Sequence, residues 1–288
     1  MPYADYTPVK ELTGGRNKVM LARRGNALFA LKFVNLTNLS PSSVSAAVDE
    51  LKLLKALSHP HIVRLRECEI IRKSTVECMM IVTDYAHGGS LEGRVQAMLD
   101  APSISIDSLQ SVARWLTQTT AALKYCHEKS VIHRDLKLDN VLLTASGDAL
   151  LADFGFAREL SASGHASTVL GTPMNMAPEL WTPGAVYAHG TDLWALGCLL
   201  VELVSLQHPF ARAQDPATLR SLITRPAPTL AERLAVSEIK LEGAVSYDAL
   251  ELAWDMMQVG TLLLSQDAND RPSCAQVLAS KAFSDVQI

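Results

Sequence analysis

The strongest constraint on the fold is a change of residue pattern near Gly88 and Gly89. Before this point, short runs of β-branched and apolar residues bounded by turn residues predict strands, with a single helix among them. After it, apolar residues recur mainly at helical spacing. A strand-rich part followed by a helix-rich part predicts the α+β class. The predicted strands are Lys18–Ala22, Leu28–Val34, Val63–Ile71 and Met79–Thr83.

The predicted helix of the first part follows Ser40, which can cap its N-terminus, and begins with Pro41. Glu50 lies beside its apolar face, so its carboxylate is expected to have a cationic partner where the helix packs. The helix is expected to end near Ser58, before Pro60. Its apolar face consists of Val44, Ala47, Val48, Leu51 and Leu54.

Two helical patterns stand out in the second part. Apolar residues at helical spacing predict a long amphipathic helix that begins near Leu109 and reaches His127. The stretch Thr191–Val204 is apolar on all sides apart from Asp192 and Glu202, which predicts a buried central helix.

A hairpin is predicted between these two helices. Val141–Thr144 and Ala149–Ala152 have the pattern of short strands joined by turn residues. If the four-residue loop is symmetric, Asn140 lies across from Asp153. An amide oxygen and a carboxylate at one place suit Mg²⁺.

The charge balance excludes some functions. With 26 basic and 30 acidic residues the net charge is −4, which leaves no positive surplus for a nucleic acid. No apolar stretch approaches the ~20 residues of a membrane helix, and Met1–Lys10 lacks the apolar run of a targeting sequence. We therefore expect a cytoplasmic protein without membrane insertion. The cysteines lack C-x-x-C spacing and are expected to be reduced thiols: Cys68, Cys78, Cys126, Cys198 and Cys274.

Four motifs follow one another along the chain: Phe29–Lys32 (FALK), His133–Asn140 (HRDLKLDN), Asp153–Gly155 (DFG) and Ala177–Glu179 (APE). With them, the sequence from about Lys10 to Phe283 resembles a protein kinase. The resemblance implies a bilobal fold. Residues 1–86 would form the ATP-binding lobe, and residues 87–288 a mainly helical lobe with the catalytic loop, activation segment and substrate site. The sequence around DFG and APE most resembles the ULK autophagy-initiating kinases, which implies a role in autophagy signalling.

The resemblance implies roles for six polar residues. Lys32 would contact the α and β phosphates of ATP and pair with Glu50. Asp135 would accept the proton of the substrate hydroxyl. Lys137 is typical of the serine/threonine branch and implies an aliphatic hydroxyl on a protein substrate. The residues that would hold Mg²⁺ are Asn140 and Asp153.

Further positions match the adenine site of the family. Thr83 matches the gatekeeper, and the backbone of Asp84 and of Ala86 would contact adenine. The side chains expected to sandwich the base are Val19, Ala30 and Leu142.

The glycine-rich loop departs from the family pattern. Gly14 and Gly15 can supply only part of it, and Asn17 occupies the place of the third glycine. Asparagine tolerates left-handed backbone better than most residues, so the property in doubt is the affinity for ATP.

Two structural features are also implied. Glu179 and Arg271 match an ion pair that braces the helical lobe. The connection between Arg225 and Arg271 is longer than the family usually has, with a possible extra helix in Thr229–Leu241.

Thr168 is placed like an activation-loop phosphosite, where a phosphate would pair with Arg134. Ser167 is the substitute phosphosite, and Thr172 matches a family position near the substrate.

The sequence thus predicts an active serine/threonine kinase. The alternatives are a pseudokinase that acts as a scaffold or nucleotide sensor, and a small-molecule kinase. The physiological substrate, regulatory partners and oligomeric state stay open.

Overall fold

A computed structural model shows a chain that divides into two compact units, with the division between His87 and Gly88. The structure describes residues 5–13, 18–37, 40–73, 76–100, 106–154, 173–182, 184–185, 188–225 and 247–286.

The first unit contains an antiparallel five-stranded sheet with the strand order β1-β2-β3-β5-β4. Three predicted strands are confirmed with slightly wider limits, and the one predicted over Val63–Ile71 is shifted by two residues to Leu65–Lys73, whereas β1 was not predicted. Its residues are largely polar and exposed, so they lack the apolar alternation that signals a strand. The strands are β1 (Thr7–Thr13), β2 (Lys18–Arg24), β3 (Ala27–Asn35), β4 (Leu65–Lys73) and β5 (Val76–Asp84).

Strand pairing places four predicted site residues on one face of this sheet. Val19 pairs with Lys32, and Ala30 pairs with Thr83. Paired residues of antiparallel strands share a face, as do residues two apart on one strand. The opposite face carries a buried cluster of side chains. Its members are Tyr6, Ala22, Phe29, Leu31, Met80 and Val82.

The helix of the first unit, α1 (Pro41–Lys55), begins at Pro41 as predicted. It ends at Lys55, before the predicted end near Ser58. Leu51 and Leu54 of the predicted apolar face are buried.

The second unit is mainly helical, which confirms the α+β class. The two helices predicted from periodicity are both present. The helices are α2 (Leu91–Leu99), α3 (Ile106–Glu128), α4 (His189–Ser205), α5 (Pro216–Thr224), α6 (Tyr247–Leu263) and α7 (Cys274–Leu278).

Helix α4 is the centre of this unit, and nearly all of its side chains are buried. Helix α4 lies close to α6. A Cβ added to Gly197 would stand only 2.8 Å from the Cβ of Leu263. A Cβ on Gly260 would likewise stand 2.8 Å from Cδ2 of Leu200. Gly197 is required for this approach because the Leu263 Cβ cannot move away, whereas at Gly260 the end of the Leu200 side chain would have to shift.

All five cysteines are free thiols, as predicted, and three of them are buried. Burial raises the pKa of Cys126 and of Cys274 to about 12, which keeps both thiols protonated. Among the described residues, no helix combines the length and apolarity needed to cross a bilayer.

The predicted hairpin is formed by β6 (Val141–Leu143) and β7 (Ala149–Leu151). Its register differs by one residue from the symmetric four-residue loop. Thr144 donates its N–H to the carbonyl of Asp148, so the loop is one residue shorter, with Gly147 at φ 84°. Asn140 therefore faces Ala152 rather than Asp153. The backbone N–H of Ala152 donates to the carbonyl of Asn140 at 2.8 Å.

Candidate active site

The HRD segment is held by a buried carboxylate on α4. Asp192 accepts hydrogen bonds from the backbone N–H of His133 at 2.8 Å and from that of Arg134 at 2.9 Å. Nε2 of His127 lies 2.9 Å from the same carboxylate. Arg134 has φ 69°, a left-handed conformation that costs a non-glycine residue about 1 kcal/mol or more. The two bonds to Asp192 offset this strain and fix the segment before Asp135.

Side chains of the same loop converge on Asp135. Nζ of Lys137 lies 3.3 Å from Oδ2 of Asp135. Nδ2 of Asn140 donates to the carbonyl of Asp135 at 2.7 Å and to Oδ2 at 3.0 Å. The Asp135 carboxylate is thus oriented by a cation and an amide, both less than six residues away.

The two predicted Mg²⁺ ligands lie at the base of the hairpin. Asn140 ends a 3-10 turn, Leu138–Asn140, and is buried. Since its Nδ2 is engaged with Asp135, its amide oxygen is the end available for a cation. Asp153 follows Ala152, the residue that faces Asn140, and is exposed with φ 54°. One amide oxygen and one carboxylate are donors that fit Mg²⁺.

The predicted phosphate contact, Lys32, lies in β3 on the sheet face shared with Val19 and Ala30. Glu50 lies in α1, and its side chain is outside the described residues. The predicted Lys32–Glu50 pair stays a prediction.

The residues predicted to contact adenine are described unit by unit. In the first unit Thr83 and Asp84 end β5, and Ala86 is buried two residues later. Asp84 accepts two hydrogen bonds from Arg66, at 2.6 and 2.8 Å. Arg66 is the extra residue where the β4–β5 register shifts between Leu65 and Glu67. In the second unit Leu142 is the middle residue of β6.

Several predicted features fall outside the described residues. These are the glycine-loop residues, the last residue of the DFG motif, the proposed phosphosites, the residue near the substrate and the possible extra helix: Gly14, Gly15, Asn17, Gly155, Ser167, Thr168, Thr172 and Thr229–Leu241.

The ion pair between Glu179 and Arg271 is present. The guanidinium of Arg271 is fully buried and donates twice to the Glu179 carboxylate, both at 2.8 Å. The pair joins the APE motif to the segment after α6.

Sequence reasoning gave no role to Asp192 and Asn175, which contact the catalytic loop, or to His208, which bonds Asn175. Asp192 could have been found, because a carboxylate in an otherwise apolar helix must have buried partners. Asn175 donates to the carbonyl of Leu136 at 3.0 Å, and Nε2 of His208 lies 2.8 Å from Oδ1 of Asn175. No local pattern indicates these two, because they lie 39 and 33 residues from their partners.

Comparison with known proteins identifies related sequences. Residues 10–283 match the sequence model described as the protein kinase domain. The chain is 33% identical over 282 residues to serine/threonine-protein kinase Nek4 of Mus musculus, covering 96% of this chain and 32% of that protein. It is 30% identical over 281 residues to the probable serine/threonine-protein kinase nek3 of Dictyostelium discoideum, covering 96% and 23%.

A third relative is serine/threonine-protein kinase Nek6 of Oryza sativa subsp. japonica, 35% identical over 197 residues, or 68% of this chain and 35% of that protein. The chain spans about a quarter to a third of the length of these three relatives. All three are Nek kinases, so the predicted ULK assignment is unsupported.

Proposed function

Because this chain belongs to the protein kinase domain family, we propose that it transfers the γ-phosphoryl group of ATP to serine or threonine hydroxyls of protein substrates. The observation that carries the proposal is the arrangement around Asp135, whose carboxylate is contacted by Lys137 and Asn140. Phosphoryl transfer needs a positioned proton acceptor, a cation near the transferred group and oxygen ligands for a metal ion. This loop contains the acceptor Asp135, the cation Lys137 and one of the two proposed metal ligands, Asn140.

In this proposal Asp135 orients the substrate hydroxyl and accepts its proton. Lys137, whose ammonium lies 3.3 Å from that carboxylate, places positive charge where negative charge develops on the transferred group. Asn140 fixes the loop through the carbonyl of Asp135, so the carboxylate does not need to reorganise during the reaction.

Mg²⁺ would be held by the amide oxygen of Asn140 and the carboxylate of Asp153. When bound, the ion neutralises charge on the phosphates. We propose that residues 1–86 and 87–288 are the two lobes, and we assign the following residues to the nucleotide. Lys32 would bind its phosphates and pair with Glu50, and Gly14 and Gly15 would cover them. The residues proposed for the base are Val19, Ala30, Thr83, Asp84, Ala86 and Leu142.

We also propose that phosphorylation of Thr168 activates the enzyme. Its partner would be Arg134, which directly precedes Asp135 and whose backbone is fixed by Asp192. A phosphate with a charge of about −2 would pair with this guanidinium. The cytoplasmic location stays a prediction from the sequence. We do not propose a role in autophagy, since it depended on the unsupported ULK assignment.

The runner-up function is a pseudokinase that binds a nucleotide without transferring its phosphate. The degenerate glycine loop favours it. The ordered contacts around Asp135 favour catalysis, because a scaffold has no need of an oriented carboxylate there.

The test is labelling of a generic protein substrate with Mg·ATP, followed by phosphoamino-acid analysis. Wild type should produce phosphoserine or phosphothreonine, and Asp135→Asn and Asp153→Ala should each lose at least about a hundredfold in rate. Asp139→Asn is the matched control, an exposed carboxylate in the same loop. A nucleotide-induced rise in melting temperature without transfer would favour the pseudokinase.

A further inference from the structure

We propose that Asn175 and His208 are positioning residues of this chain, which hold the carbonyl of Leu136 and thereby fix Asp135. This inference rests on the proposed kinase function. The two residues form a chain of hydrogen bonds that starts beyond the C-terminus of α4 and ends at the residue after Asp135.

The hydrogen bonds have defined directions. Nδ2 of Asn175 donates to the Leu136 carbonyl at 3.0 Å, which leaves Oδ1 of Asn175 as an acceptor. Nε2 of His208 lies 2.8 Å from this oxygen and must therefore carry a proton. Nδ1 of His208 accepts the backbone N–H of Phe210 at 3.2 Å. The ring is thus fixed as the neutral Nε2–H tautomer, with both nitrogens bonded.

The surroundings of His208 favour this neutral form. Burial alone lowers its pKa to about 4, so the ring is uncharged at neutral pH. The Phe210 ring is 5.9 Å from the imidazole and stacks on Trp194. The neutral ring beside Phe210 cannot rotate without breaking two hydrogen bonds.

The bond to Leu136 completes the fixing of the catalytic loop. The loop has no regular secondary structure from His133 to Leu136, so its backbone groups need other partners. Asp192 binds the N–H groups of His133 and Arg134, and Asn140 binds the carbonyl of Asp135. Asn175 binds the carbonyl of Leu136. Of these four contacts, it is the only one made by the segment before the APE motif.

A consequence for catalysis follows from this geometry. Asn175 lies in the 3-10 turn Pro173–Asn175, which directly follows the predicted substrate-contacting Thr172. The bond from Asn175 to Leu136 therefore links this segment to the loop that carries Asp135. Without it, the carboxylate loses alignment with the substrate hydroxyl, whereas ATP binding is unaffected.

The experiment compares steady-state kinetics of Asn175→Leu, His208→Phe and His208→Gln with wild type. Leucine keeps the shape of asparagine but cannot bond, and glutamine keeps a donor near the position of Nε2. We expect Asn175→Leu to lower kcat about tenfold or more while the KM for ATP changes less than about twofold. His208→Phe should be weaker in effect, and His208→Gln should recover most of its loss. The double variant Asn175→Leu/His208→Phe should be no slower than Asn175→Leu, because the two act through one chain of bonds.

Hydrogen exchange of residues 131–138 provides a readout that does not depend on activity. Exchange should be faster in Asn175→Leu and close to wild type in His208→Gln. Asn269→Leu is the control, since Asn269 bonds only Asp267 within its own turn in the described structure. Melting temperatures show that each variant is folded.

Wild-type kcat and exchange in a folded Asn175→Leu variant would overturn the proposal. Equal changes of kcat in His208→Phe and His208→Gln would also overturn it, because the donor would then be irrelevant. An inactive wild type would refute the kinase function instead, and hydrogen exchange alone would then decide whether the pair holds the loop.

Discussion

Arg271 saturates its hydrogen-bonding capacity with Glu179 and three backbone carbonyls. Two of its five N–H groups bond the two oxygens of the Glu179 carboxylate. The others bond the carbonyls of Gly190, Ser265 and Gln266. The guanidinium therefore joins the APE motif, the start of α4 and the end of α6 at one buried point.

Arg271→Met should destabilise the protein by about 3–5 kcal/mol. The substitution leaves the Glu179 carboxylate and three carbonyls without their buried partner. Arg271→Lys should recover little, because an ammonium cannot reproduce the five-donor fork. Urea unfolding measures the free energy of each variant. Lys281→Met is the control, since its exposed ion pairs with Glu251 and Asp255 should contribute little. Equal losses at both positions would contradict the prediction.

Arg66→Met should raise the KM for ATP about two- to fivefold without changing kcat. Arg66 holds both oxygens of Asp84, and the N–H of Asp84 bonds the carbonyl of Arg64 at 3.2 Å. The side-chain bonds position the backbone that is proposed to contact adenine. Arg72→Met, which removes an exposed ion pair with Glu77 in the same hairpin, should leave KM unchanged. An unchanged KM in Arg66→Met would remove this positioning role.

Local patterns predicted most of the helices and strands and indicated the chemistry of their polar residues. Alternation in β3 places Ala30 and Lys32 on one face, and the strand pairing adds Val19 and Thr83. The hairpin register was wrong by one residue, because it depends on how the backbone turns at Gly147. A turn of this kind is set by φ and ψ rather than by apolar spacing.

The contacts that hold the catalytic loop could not be predicted from local patterns. Asp192 and Asn175 reach the loop across 39 to 59 residues of chain, and His208 reaches Asn175 across 33 residues. Such contacts depend on how helices pack, and a single sequence carries no periodic signal for them.

Protein stability should fall below pH 6.5 because of His208. Its pKa is lowered by burial from 6.5 to about 4, so the unfolded state binds more protons between these values. The stabilisation from keeping the ring neutral is complete above pH 6.5. As the pH falls to 4, the free energy of unfolding decreases by roughly 3 kcal/mol. His208→Gln does not titrate and should lack this loss. The measurement is the free energy of unfolding of both proteins at pH 7.5 and pH 4.5. A constant difference between them would contradict the assignment to His208.

Glu202→Gln should stabilise the protein at alkaline pH and leave it unchanged in acid. Burial in α4, followed by the charges of Glu92 and Asp139, raises the pKa of Glu202 from 4.5 to about 7. The folded state therefore binds more protons than the unfolded state between these values, and stability is lost as the pH rises from 4.5 to 7. The loss is roughly 3 kcal/mol above pH 7, and it is absent below pH 4.5, where both states are protonated.

Glutamine carries no charge at any pH, so the variant should be more stable than wild type at pH 8 and equally stable near pH 4. Glu128→Gln, which removes an exposed carboxylate paired with Lys124, should show no such dependence. A pH-independent difference for Glu202→Gln would mean that the change acts through packing rather than through the buried charge.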